Sequence, residues 1–220
     1  MILKRSIWFI LLVCSVIFIS WRVLSLIDTQ NERKQKAITT GQKVSINIKN
    51  KLDSVFSLIE KDGKIFAKEI EDKKYSVEQL GELLKKEASN HNWLSGVTLA
   101  FEPGAYFHDT SLVGIYFDNE DKILRDIDEV YDYRNPEIET TMWYNMPKKQ
   151  GVPLYVGPYF ALVADELVID YAIPMYMAEK KFIGVATFTI SLNKLSEDIR
   201  TLVDGRSGYL YLTDKNGLVI

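Results

Sequence analysis

One cysteine, Cys14, in 220 residues leaves nothing from which to build a disulfide framework or a Cys-rich zinc site. The two histidines, His91 and His108, lie far apart with no carboxylate pattern beside them, so neither a His-based metal centre nor a catalytic triad is expected. Both read as exposed loop residues. No block of Lys or Arg stands out and the formal charge is −3, which argues against binding nucleic acid by phosphate neutralisation. Neither G-x-G-x-x-G nor G-x-x-x-x-G-K-[ST] occurs. No nucleophile, base and orienting group can be assembled from the pattern, so an enzyme is not expected, and neither is a cofactor.

Apolar residues are plentiful. At 47% hydrophobic and 26% charged, the chain is rich enough for a packed core. Residues 6–21 (SIWFILLVCSVIFISW) carry no charge. As a helix they span about 24 Å, short of a hydrocarbon core of about 30 Å. Arg22 can snorkel outward, and residues 23–27 then extend the span. Trp8 and Trp21 stand near the two ends, as interfacial aromatics do. Lys4 and Arg5 precede the run, so the N-terminus is expected inside and residues 28–220 outside the cytoplasm of a plasma (inner) membrane. Ser20-Trp21-Arg22 and Ser25-Leu26-Ile27 are poor cleavage sites, which favours a retained anchor in contact with lipid.

Residues 28–70 contain no proline and read as one long helix. Ile38, Ser45, Leu52 and Ile59 recur every seventh position, Ile48 and Val55 fill the alternate spacing, and Phe66 and Ile70 continue the stripe. The stripe fits a homodimer seam and equally a face packed on the chain's own domain. Gly41 and Gly63 weaken it locally. A second helix starts at Ser76, with Gln79 completing a capping box, and ends near Asn90. The pattern then becomes strand-like over residues 97–101, 113–117, 123–127, 154–162, 167–173 and 182–190. Asp118-Asn119-Glu120-Asp121 reads as a hairpin turn. Residues 131–145 are aromatic and irregular, with Pro136 inside and Pro147 just after. Ser191 caps a helix over 192–203, and residues 208–220 begin a new hairpin. Two strands cannot form a sheet alone, so that hairpin is expected to continue beyond Ile220 or to dock on something else. Helix, about five antiparallel strands with an irregular insert, then helix is an α+β arrangement matching a PAS-like sheet.

An ordered set of short motifs adds to this. Trp143-Tyr144-Asn145-Met146-Pro147, Gly157-Pro158-Tyr159-Phe160, Tyr171-Ala172-Ile173-Pro174, Phe182-Ile183-Gly184-Val185, Ile190-Ser191-Leu192-x-x-Leu195 and Ser207-Gly208-Tyr209-Leu210-Tyr211-Leu212 follow in sequence. Over residues 30–220 the chain resembles the double Cache (dCache) extracellular sensor of bacterial transmembrane receptors. The resemblance implies a cytoplasmic N-terminus (1–5), a transmembrane helix (6–27), a stalk helix (28–70), a membrane-distal PAS-like sensor lobe (71–190), a linking helix (191–206) and the start of a membrane-proximal lobe (207–220). It implies a sensor for a small-molecule ligand that relays binding through the stalk. The alternative is an anchored binding protein without signalling output. Two positions that are often Asp in that family are Ala161 and Thr189 here, and Thr141 stands where its amino-acid-binding members place Arg, so amino-acid binding is not implied.

The candidate ligand-binding residues are Trp143, Tyr144, Tyr155, Tyr159 and Tyr171, aromatic side chains with polar tips suited to walling a pocket. Core packing is the competing reading for each. Arg134 is the nearest anion-binding candidate, or else an ion-pair partner of Glu137 or Glu139. Asp165, Glu166 and Asp170 offer oxygen ligands for a cation, with Asp165 and Glu166 fitting a turn.

Overall fold

The computed structural model describes residues 2–203 apart from 109–110, 129 and 136–138. The hairpin expected over 208–220 and the start of a second lobe lie outside the described residues. The chain divides into two units, Met1–Asn50 and Lys51–Ile220. The described residues of the first are helical. One helix, α1, runs Ile2–Asp72 and so joins the two. It is the one described helix long and apolar enough to cross a membrane. From Leu12 to Ile27 its large apolar side chains are exposed, Trp21 and Leu24 to 61%. Water does not favour such a surface, whereas lipid does.

The second unit is an α+β lobe. Helix α2 (Val77–Ser89) follows α1, and a six-stranded sheet is built from β1 (Leu94–Phe101), β2 (Val113–Asp118), β3 (Ile123–Asp126), β4 (Leu154–Ala161), β5 (Glu166–Tyr176) and β6 (Phe182–Ser191). Helix α3 (Met142–Gln150) lies between β3 and β4, and α4 (Leu192–Val203) follows β6. Every strand pair is antiparallel, in the order β3-β2-β1-β6-β5-β4. The two central strands, β1 and β6, are therefore the first and the last along the chain.

Both faces of the sheet are covered. On one, Val55, Ile59, Phe66 and Ile70 of α1 and Leu80, Leu84 and Ala88 of α2 pack on Val97, Leu99, Phe188 and Ile190. The stripe read from the sequence is thus consumed, from Val55 onward, by the chain's own core. Gly63 permits this contact: a Cβ there would stand 2.8 Å from Ile173 Cδ1 and 3.2 Å from Phe188. Helix α2 carries the expected cap, Ser76 accepting from Gln79 N while the Gln79 side chain accepts from Ser76 N.

The other face is covered by the segment expected to be irregular. Part of it is helical: α3 contains Pro147 in its interior and ends at Gly151 in the left-handed conformation. A proline there forfeits only the bond back to Trp143, and the rings of Trp143 and Tyr144 buried against the sheet hold the turn.

Turn chemistry closes the hairpins. The Asp118 carboxylate accepts from the backbone N–H of Glu120 and Asp121, an Asx turn where a turn was expected. Between β5 and β6, Glu179 (φ 61°) and Lys180 (φ 59°) both adopt left-handed backbone, which costs an L-residue about 1–2 kcal/mol relative to glycine. The double variant Glu179→Asn, Lys180→Gly matches the turn and should raise the thermal midpoint of the full chain. An unchanged or lower midpoint would show that the tip carries no strain.

Candidate ligand site

The covered polar face holds a small cavity. Strand parity places Thr98 (β1), Tyr116 (β2), Asp170 (β5), and Thr187 and Thr189 (β6) on one side of the sheet, with Thr98 opposite both Tyr116 and Thr187, and Thr189 opposite Asp170. Ile127, Tyr131 and Trp143 arch over them, and Tyr159, Ala161, Val163 and Ala164 close the side. The cavity is partly open and its volume is about 20 Å³, room for about one water molecule.

Two polar atoms in this wall lack a hydrogen bond, Asp170 Oδ1 and Tyr116 Oη. Asp170 is 2% exposed and Tyr116 3%. The other oxygen of Asp170 accepts from the Tyr159 hydroxyl. Burial pushes the Asp170 carboxyl up to about 6, against the hydrogen bonds of Tyr159 and Thr189, which pull it down. Burial, with the charge of Asp170 second for Tyr159 and that of Asp118 second for Tyr116, drives both phenols well above their ordinary range, so both remain protonated donors.

The roof is tied down. The Tyr131 hydroxyl accepts from the backbone N–H of Leu162 (2.8 Å) and Val163 (3.3 Å) in the turn between β4 and β5. The rings of Tyr131 and Trp143 meet edge to face at 5.8 Å. Asn145 of α3 donates to the Tyr133 carbonyl at 3.1 Å, and Tyr133 donates to the Phe101 carbonyl at 3.2 Å.

Of the residues expected to bind, Trp143 and Tyr159 line this cavity. Tyr144 is buried beside it, its hydroxyl donating to Glu102 at 2.7 Å. Tyr155 and Tyr171 face the opposite side, paired with each other across β4 and β5, their rings 4.9 Å apart. The Tyr155 ring also meets Phe56 of α1 edge-on. Arg134 is exposed and pairs with Asp132 at 2.8 Å. Tyr116, Thr98 and Thr187 were not anticipated. The signal that marks them is a polar residue at alternate positions of otherwise apolar strands. Ala161 and Thr189, the two departures from the dCache pattern, both stand in the cavity wall. His91, expected on the surface, is 1% exposed, because the chain turns inward directly after the C-cap of α2.

A family model described as the first PDC sensor domain of methyl-accepting chemotaxis protein-like receptors matches residues 80–197, more than half of the chain. The chain belongs to this family. Several solved structures share its fold. The extracellular domain of mmHK1S-Z3, assigned as a histidine kinase, superposes with a TM-score of 0.65 at 19% identity, over 81% of this chain and 68% of that one. That of soHK1S-Z6, also assigned as a histidine kinase, gives 0.54 at 24%, over 65% and 52%. The ligand-binding domain of Mlp24, solved with asparagine, gives 0.53 at 17%, over 81% and 66%. At these identities the likeness establishes the fold. No curated protein matches the chain.

Proposed function

We propose that the chain is the extracytoplasmic sensor region of a membrane-anchored receptor, and that the cavity on the covered polar face of its PDC lobe takes a small molecule. The observation that carries this is Asp170: a fully buried carboxylate with one oxygen unpaired, kept at the wall of a cavity at a cost that packing alone does not repay. Four aromatic residues, Tyr116, Tyr131, Trp143 and Tyr159, surround it. A carboxylate among aromatic faces favours a ligand with a cationic nitrogen or strong hydrogen-bond donor. The Mlp24 domain holds asparagine; here the acid sits on β5, not at Thr189.

Residues 6–27 would anchor the chain in lipid, with the lobe outside. Ligand-driven repacking of the sheet would reach the membrane through α1, whose residues from Val55 lie against the opposite sheet face. A homodimer would use the exposed part of the stalk stripe, such as Ile38, because Ile59 belongs to the core.

Asp170→Asn is the test. The raised carboxyl means that ionising Asp170 costs folding stability as pH rises from about 4 to about 6, and the deficit is complete at pH 7.5. Asn removes that charge, so the unliganded variant should melt no lower than wild type at pH 7.5. In the full chain held in nanodiscs, a titration panel of amino acids, ethanolamine and putrescine should give at least one binder, lost in the variant. A binder that the variant retains would place recognition elsewhere.

A further inference from the structure

We propose that His91 and Asp62 form an acid-sensitive joint between α1 and the sheet: a proton placed on His91 loosens the seating of α1 on the lobe. This goes beyond ligand recognition and does not depend on it.

The ring of His91 is buried at the junction of α2 and β1, and neither of its nitrogens makes a hydrogen bond. On α1, Asp62 Oδ2 lies 3.3 Å from Nε2, an ion pair only if the ring is protonated. The carbonyl of His91 accepts from Asn119 Nδ2 at 3.4 Å, which ties its backbone to the turn after β2.

The charges around the joint decide the sign. On α1, Asp62 attracts a proton to the ring. On α2, Glu87 stands one turn before His91. Burial raises its carboxyl, Lys86 lowers it, and the charges of Asp62 and Glu69 raise it further. In the turn after β2, Lys122 donates to Asn119 at 2.7 Å. On α4, Lys194 and Asp198 engage the neighbouring Leu94 carbonyl and Trp93 indole. Burial is the largest effect on His91 and outweighs Asp62, so its imidazolium is disfavoured while α1 is seated and its pKa lies below the ordinary 6.5. A histidine lowered on folding contributes full stability above about 6.5 and loses it as pH falls toward its folded value. One pH unit below 6.5, the loss has a ceiling of about tenfold in the equilibrium.

The experiment uses the full chain in nanodiscs with ¹³C-labelled histidine. Only two histidines are present, and His108→Gln assigns the pair. His91 should titrate below 6.5, and hydrogen exchange of α1 residues 55–70, corrected for intrinsic rate, should accelerate severalfold between pH 7.5 and 5.5, up to about tenfold. His91→Gln should abolish that acceleration. Should that variant fail to fold, Asp62→Asn serves instead. It removes the attraction for the proton, so the His91 midpoint should drop further, while the acceleration, which still sets in near 6.5, should be at least as large at pH 5.5 and continue to lower pH. A His91 midpoint at or above 6.5, or exchange in residues 55–70 indifferent to pH while His91 titrates, overturns the proposal.

Discussion

Ile59→Asp is expected to unfold the lobe. Ile59 has no exposed surface and sits where α1 crosses the sheet, in the cluster with Val55, Phe66 and Phe188. An aspartate there forfeits the burial of a large aliphatic side chain and places an unpaired carboxylate in an apolar core. Together these effects are worth more than about 4 kcal/mol, against a domain stability of about 5–15 kcal/mol. The near-UV circular dichroism of the aromatic clusters should collapse. Ile38→Asp is the informative partner, because Ile38 is 44% exposed and lies in the first unit. It should leave that spectrum intact, and if the stalk pairs with a second copy it should reduce cross-linking. A native spectrum for Ile59→Asp would mean that α1 is not part of the core.

Gly96→Ala should cost about 3 kcal/mol or more, a large penalty for one methyl group. The added Cβ would lie 2.2 Å from the Phe117 carbonyl oxygen and 2.3 Å from the Tyr116 ring. Flexible side chains yield to such a contact, but a carbonyl in a strand ladder does not. Gly96 pairs with Asp118 and Thr189, and Val97 with Phe117, so moving the carbonyl breaks the register of central strands. The ring would also have to leave its place in the cavity wall. Urea denaturation measures the loss. A change below about 1 kcal/mol would mean that the β1–β2 ladder has slack.

Much of the fold was legible because local chemistry and tertiary role agree. Ser76 and Gln79 mark the start of α2 wherever it packs, and apolar runs between turn residues mark the strands. The stalk stripe was ambiguous for a physical reason: a heptad seam and a helix on a sheet require the same spacing, and only Gly63, which admits the close approach, distinguishes them. Helix α3 was hidden by Pro147. In the site, Trp143 and Tyr159 were found as aromatics of the covering segment and its neighbouring strand. Tyr155 was placed with them as one more aromatic side chain of the same stretch of sequence. The irregularity in β4 between Val156 and Tyr159 inserts an extra step and sends the two tyrosines to opposite sides. Register of that kind is not written in composition. Nor was the burial of His91, flanked by Asn90 and Asn92 just past a helix end.

The smallness of the cavity carries a thermodynamic consequence. With room for about one water, the cavity in the described conformation would have to widen to admit a larger molecule. Its measured dissociation constant is then the intrinsic one divided by the open fraction, a tenfold penalty for every 1.4 kcal/mol of opening. On the proposed reading, the Tyr131 bonds to Leu162 and Val163, which tie down the roof, would contribute to that population. If the cavity takes the ligand, the concentration to which the receptor responds would shift tenfold for each such step in the hold of the roof, while its choice of ligand stays the same.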